Sequence, residues 1–192
     1  MITDIEYHPF EPFLPDNAKV LFLGSFPPGS KRWSMDFYYP NFINDFWRIM
    51  GMIYFGQRDY FVRSGHKSFD KEHIIRFCKD QGFALYDTAY AIKRLKDNAS
   101  DKFLEVIESV NVASLLDQIP NCKIIAATGQ KAAEIVAEQF HVPAPAVGSS
   151  CKIKGSGGDI LFWRMPSTSR AYPLSIDKKA GIYRTMLDSV TV

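Results

Sequence analysis

Two loops carry the residues from which chemistry can be built. The first closes VLFLGSFPPGS, residues 20–30, where four apolar residues run into Gly24, Ser25, Phe26 and two prolines. A buried strand ending in so fixed a backbone suits a ligand. Yet Phe26, at its centre, can neither move a proton nor attack a bond. In the second loop, within the stretch 165–186, Ser167, Thr168 and Ser169 follow Pro166, and small hydroxyls with backbone amides can grip phosphate oxygens. A solvated loop is the alternative. Between the two lies FYYPNFINDFW, residues 37–47, which sets flat rings among a proline and amides. Phe37, Tyr38 and Tyr39 can stack on a flat partner or fill the core. Asn44, at a predicted helix start, can cap that helix or present its amide outward. Asp87, behind an apolar run, can line a pocket or cap the next turn.

The elements that must position these residues alternate along the chain. Continuous apolar runs over 20–23, 83–86, 123–127 and 160–165 predict strands of a parallel sheet covered on both faces. Helical spacing predicts helices over 43–53, 71–81, 101–116, 131–140 and 179–190. The first buries Phe46, Trp47, Met50 and Ile53; the third relies on Leu104, Ile107, Leu115 and Leu116. This alternation implies an α/β fold of three layers, α/β/α, with a central, mostly parallel four-stranded sheet, and one domain over 1–192. Ligands of such sheets bind beyond the carboxyl ends of the strands. Residues 148–159, polar and Gly-rich, read as a flexible hairpin.

Composition excludes several classes of function. A net charge of +2 is too small to mark a nucleic-acid binder by itself, although Lys31-Arg32, Lys93-Arg94 with Lys96, Lys152 with Lys154, and Lys178-Lys179 cluster near element ends. Cys78, Cys122 and Cys151 are far apart, so neither a disulfide framework nor a metal site is indicated and reduced thiols in a cytoplasmic protein are expected. The start has no signal-peptide pattern, and no apolar run approaches the roughly 20 residues of a membrane span. Neither a dinucleotide nor a phosphate-loop glycine motif occurs; Gly155 to Gly158 precede a strand.

The ordered set Gly24, Pro27, Tyr39, Asn44, Phe46, Trp47, Pro166 and Ser167 resembles the uracil-DNA glycosylase superfamily. There a first-strand loop G-x-[DN]-P precedes an aromatic and an N-x-F-W run, and a loop H-P-S-P or N-P-S-G follows the last strand. GFALYDTA and IIAATGQKA are similar to its middle strands, so the likeness spans nearly the whole chain. GSFP, the paired tyrosines separated by six residues from Phe46-Trp47, and PSTS are most similar to the hypoxanthine-DNA glycosylase-like branch, which also has Phe in the first loop.

The resemblance implies a monofunctional, monomeric glycosylase without metal or cofactor. Its substrate would be DNA holding a deaminated base, hypoxanthine or uracil, flipped into a pocket to begin base excision. It implies that Asn44 is the catalytic amide, orienting water and bonding the base as charge builds. Gly24, Ser25, Phe26, Tyr39, Asn41 and Asp87 would bind the base, with Tyr39 stacking on it and Asn41 a spare amide. Ser167, Thr168, Ser169, Arg170, Tyr172 and Lys178 would contact DNA, with Leu174 in the groove and Lys179 adding phosphate attraction. The sequence departs from the pattern at Phe26, where the superfamily has Asp or Asn, and at Met165, where it has His or Asn. It departs also at Pro40-Asn41-Phe42 and in S-T-S-R-A-Y, near the expected base pocket. A catalytically weak or inactive nucleic-acid-binding module on the same fold is therefore the alternative.

Overall fold

The computed structural model describes residues 4–95 and 101–191, and its centre is built from the four apolar runs; Lys96, in one of the basic clusters, lies outside these residues. β2 (Val20–Gly24), β3 (Phe83–Asp87), β6 (Ile124–Ala127) and β8 (Gly158–Arg164) pair in parallel. The side chains of β2 and β6 up to Leu23 and Ala127 are buried throughout, so the sheet is covered on both faces. Its carboxyl ends bring Gly24, Asp87, Thr128 and Met165 to one rim.

The sheet has five strands rather than four. β7 (Ser149–Gly155) turns back on β8 as an antiparallel edge, giving the order β3-β2-β6-β8-β7. The hairpin expected over 148–159 is present, but its first arm is a full edge strand of the sheet; only Ile153 of β7 is buried, and Ser149, Ser150, Lys152 and Lys154 form a solvated edge. The region expected as one helix over 101–116 is also different. A 3-10 turn (Asp101–Phe103) leads into β5 (Leu104–Ser109), and a short α3 (Val112–Gln118) follows. Asn111 ends the strand and caps α3, its side chain accepting the Ser114 N–H at 3.0 Å. β5 joins β1 (Ile5–Tyr7) and β4 (Ala89–Arg94) in a small antiparallel sheet of order β1-β4-β5.

The remaining helices are α1 (Phe46–Phe55), α2 (Lys71–Gln81), α4 (Gln130–Gln139) and α5 (Ile176–Asp188). Gly82 ends α2 at φ 69°, where a Cβ would lie 2.5 Å from the Asn17 carbonyl oxygen. Among the described residues no helix is long and apolar enough to cross a membrane. The N-terminal segment straps the rim. β1 pairs with β4, the His8 N–H reaches the Tyr90 carbonyl at 2.8 Å, and Phe13 exchanges backbone bonds with Leu85, covering the outer edge of β3.

A buried ion pair ties the segment just before α1 to the loop just before α5. Lys179 Nζ lies 3.0 Å from Asp45 Oδ2 and 2.8 Å from the Ser169 carbonyl, while the Asp45 N–H donates to the Thr168 carbonyl at 2.9 Å. The Lys179 side chain is 0% exposed, so neither charge can be left alone without a large desolvation penalty. Lys179→Met is expected to lower unfolding free energy by about 3–5 kcal/mol in urea titrations, and the double variant Asp45→Leu/Lys179→Met by much less. Equal losses in the single and double variants would contradict this assignment.

Candidate functional site

At the rim Gly24 and Asp87 stand opposite each other in the β2/β3 register. A Cβ on Gly24 would come within 2.3 Å of Asp87 Oδ1 and 3.9 Å of Thr128 Oγ1, so glycine lets the carboxylate approach the first loop. Thr128, just past β6, donates its hydroxyl to the Leu23 carbonyl at 3.3 Å. That commits its one proton, so the Tyr39 hydroxyl, 2.9 Å away, donates to it. Burial, and then the nearby Asp87 charge, hold the Tyr39 phenol far above its ordinary value, which keeps it a neutral donor. Tyr39 has φ 52°, an uncommon region for a non-glycine residue and one costing about 1–2 kcal/mol. Its ring lies flat on Phe46, centroids 3.8 Å apart and planes 9° apart, and this stack with the Thr128 bond holds the backbone there.

Asp87 does not cap the next turn; it stands at the rim with one oxygen engaged. Its Oδ2 accepts a hydrogen bond from His8 Nε2 at 2.8 Å, and both side chains are shielded. His8 is the functional candidate that the sequence reading missed. Its partner is 79 positions away, and H-P-F carries no motif that would have marked it.

Asn44 does two things at once. Its Oδ1 accepts the Phe46 N–H at 2.9 Å, capping α1, while its Nδ2 has no partner among the described residues. The turn before it is pinned by Arg48, whose guanidinium donates to the Phe42 and Asn44 carbonyls and lies 4.6 Å from the Phe42 ring centroid. Asn41 is occupied in that turn, its Oδ1 accepting the Ile43 N–H at 3.2 Å and its carbonyl the Asn44 N–H at 2.8 Å. Phe37 and Tyr38 are core residues, leaving Tyr39 as the ring at the rim.

The other expected residues divide between surface and interior. Ser167 Oγ accepts the Ser169 N–H and Ser169 Oγ accepts the Ala171 N–H, so the loop folds through its own hydroxyls. Ser169, Arg170 and Lys178 are exposed, Ser167 and Tyr172 partly so. Thr168 is 3% exposed and belongs to the joint with Asp45, not to a DNA-facing surface. Lys179, expected to attract phosphates, is spent on Asp45. Ser25 is buried, its carbonyl accepting the Ala89 N–H at 3.1 Å. Phe26 packs against Ala89, Ile92 and Leu104, and Met165 is buried. Among the described residues no group of three or more His, Cys, Asp or Glu could hold a metal ion. Two concavities, one lined by Ser109, Val110, Gln139 and Phe140 and one by Leu116, Pro120 and Gly157, lie away from this rim.

No family model matches the sequence. The chain is 30% identical over 126 residues to the hypoxanthine DNA glycosylase of Methanosarcina barkeri (strain Fusaro / DSM 804), covering 65% of this chain and 72% of that protein. Its fold is similar to the solution NMR structure of a Methanosarcina acetivorans protein provisionally assigned as a uracil DNA glycosylase. The TM-score is 0.65 at 19% identity, over 98% of this chain and 100% of that one. At that identity the second likeness speaks for the fold, and the first for descent. By that descent the chain belongs to the uracil-DNA glycosylase superfamily, in the hypoxanthine-DNA glycosylase-like branch.

Proposed function

We propose that this protein is a monofunctional DNA glycosylase that hydrolyses the N-glycosidic bond of hypoxanthine or uracil extruded from DNA, opening base excision repair. The observation that carries the reading is a chain of contacts: Asp87 and Thr128 flank Gly24, Tyr39 bonds Thr128 and stacks on Phe46, Asn44 bonds the Phe46 N–H, and Asp45 bonds the loop that exposes Ser169 and Arg170. An extruded base needs a flat wall, a reader for its edge and a grip on the backbone. Phe46 takes one face of the Tyr39 ring, and the base would take the other. Ser167, Ser169, Arg170 and Lys178 would hold phosphates, with Tyr172 in the groove and Thr168 in a supporting role.

Asp87 supplies the selectivity in this reading. An ionised carboxylate only accepts hydrogen bonds. Deamination turns the bare N1 of adenine into the N1–H of hypoxanthine, and the bare N3 of cytosine into the N3–H of uracil. The carboxylate therefore attracts the damaged edge and repels the intact one. Asn44 Nδ2 would orient water toward the anomeric carbon and bond the base as charge builds. The C–N pair leaves with the base, water oxygen bonds to the sugar carbon, and the proton lost by that water passes to the base or to solvent. An amide is a poor general base, so the sugar must carry most of the positive charge before water adds. The alternative, binding without cleavage, draws on Phe26 and Met165, which are both engaged in packing and bring no polar group.

Oligonucleotides carrying hypoxanthine or uracil, treated with alkali after incubation, are expected to break at the lesion. Asn44→Ala is expected to slow single-turnover release by about 100-fold. DNA affinity without breaks at either base would favour the binding module. Gly24→Ala is expected to keep the fold, because the atom it meets ends a side chain, but to displace Asp87 and slow release more than 10-fold. Unchanged release in this variant would remove Asp87 from the base site.

A further inference from the structure

We propose that His8 is a positioning residue, carried by the N-terminal strap, that locks Asp87 so that one of its oxygens is presented to the base; the inference rests on the glycosylase reading. A carboxylate cannot donate, so at 2.8 Å from Asp87 Oδ2 the proton is on His8 Nε2. The other end of the ring is fixed as well. Nδ1 lies 2.9 Å from the Phe10 carbonyl and 3.2 Å from the Phe10 N–H, one bond or the other according to protonation. The His8 side chain is 0% exposed and that of Asp87 10%. With Oδ2 held by His8, Oδ1 faces the Cα of Gly24 and has no partner among the described residues.

The cage around His8 explains Phe26. Tyr86 lies 4.7 Å from the imidazole, Phe26 meets it edge-on at 5.4 Å and 80°, and Tyr38 lies 6.2 Å away at 26°. Where the first loop could have carried a polar group, it carries one wall of the cage that holds His8. The polar element at this end of the sheet comes instead from β3 and from a strap more than ten residues upstream of the loop. Freed of His8, Asp87 could rotate toward solvent and lose its aim, since a hydrogen bond to a charged group is what fixes a short side chain in place.

Two substitutions separate positioning from packing. His8→Gln keeps an N–H near the Nε2 position but loses the ring, whereas His8→Phe keeps the ring and loses the donor. Single-turnover release of hypoxanthine is expected to fall about 10- to 100-fold in His8→Phe. His8→Gln is expected to stay within a few-fold of the native protein, even if it melts lower. In an Asp87→Ala background His8→Phe should add little. Full activity in His8→Phe, or equal losses in both variants, overturns the inference while leaving the glycosylase reading in place. Should the native protein release neither hypoxanthine nor uracil, that reading falls, and the presentation of Asp87 to a base falls with it. Nitrogen-15 spectra of the histidines test the lock without turnover. A proton on His8 Nε2 whose signal moves in Asp87→Ala supports it, and a bare Nε2 overturns it.

Discussion

The rim of this protein depends on one buried ion pair. Two charges removed from water cost several kcal/mol each, and only close partners offset that. Asp45 and Lys179 obtain those partners from the loops they join: Lys179 also donates to the Ser169 carbonyl, the Asp45 N–H goes to Thr168, and Arg170 Nη2 stands 3.6 Å from Asp45 Oδ1. The pair is therefore satisfied only when the start of α1 and the residues before α5 are docked. Docking fixes Asn44, one residue before Asp45, and it leaves Ser169 exposed and Arg170 half-exposed at the edge of the pair. Tyr183 adds a second tie, its hydroxyl donating to the Pro166 carbonyl at 3.1 Å.

A different logic holds the other half of the rim. There the strands themselves deliver Gly24, Asp87 and Thr128 side by side, because parallel neighbours end together. Short polar links then run outward from them, Tyr39 through Thr128 to Leu23 on one side and His8 to Asp87 on the other. Aromatic packing supports both links. Phe46 backs Tyr39, and Phe26, Tyr38 and Tyr86 enclose His8. Phe26 is thus part of that support.

Local pattern revealed what local physics decides. Strands buried on both faces are unbroken apolar runs, and the helices over α1, α2, α4 and α5 show their apolar stripe, so these elements could be read from sequence with only their ends displaced. Strands with a solvated face could not. β7 buries Ile153 among lysines and serines, and β5 places Leu104 and Ile107 where helical spacing would also put them. Asn111 was the available sign that the run over 101–116 breaks, since it begins a new helix. Of the candidate site, Gly24, Tyr39 and Asn44 could be named from sequence only through the resemblance to the superfamily's ordered motifs. His8 and the burial of Lys179 could not be, because each is defined by a partner 79 or 134 positions away. A lysine beside a helix start looks the same on paper whether it faces DNA or a buried carboxylate.

In the proposed function an extruded deaminated base lies against Tyr39, with its ring N–H bonded to Asp87. The most direct measurement is a structure bound to an oligonucleotide holding hypoxanthine on a 2′-fluorinated sugar, which resists cleavage. Asp87 Oδ1 within about 3 Å of hypoxanthine N1, and the base flat on Tyr39, is the predicted result. A base still stacked in the duplex, or bound away from the ends of β2 and β3, would contradict it.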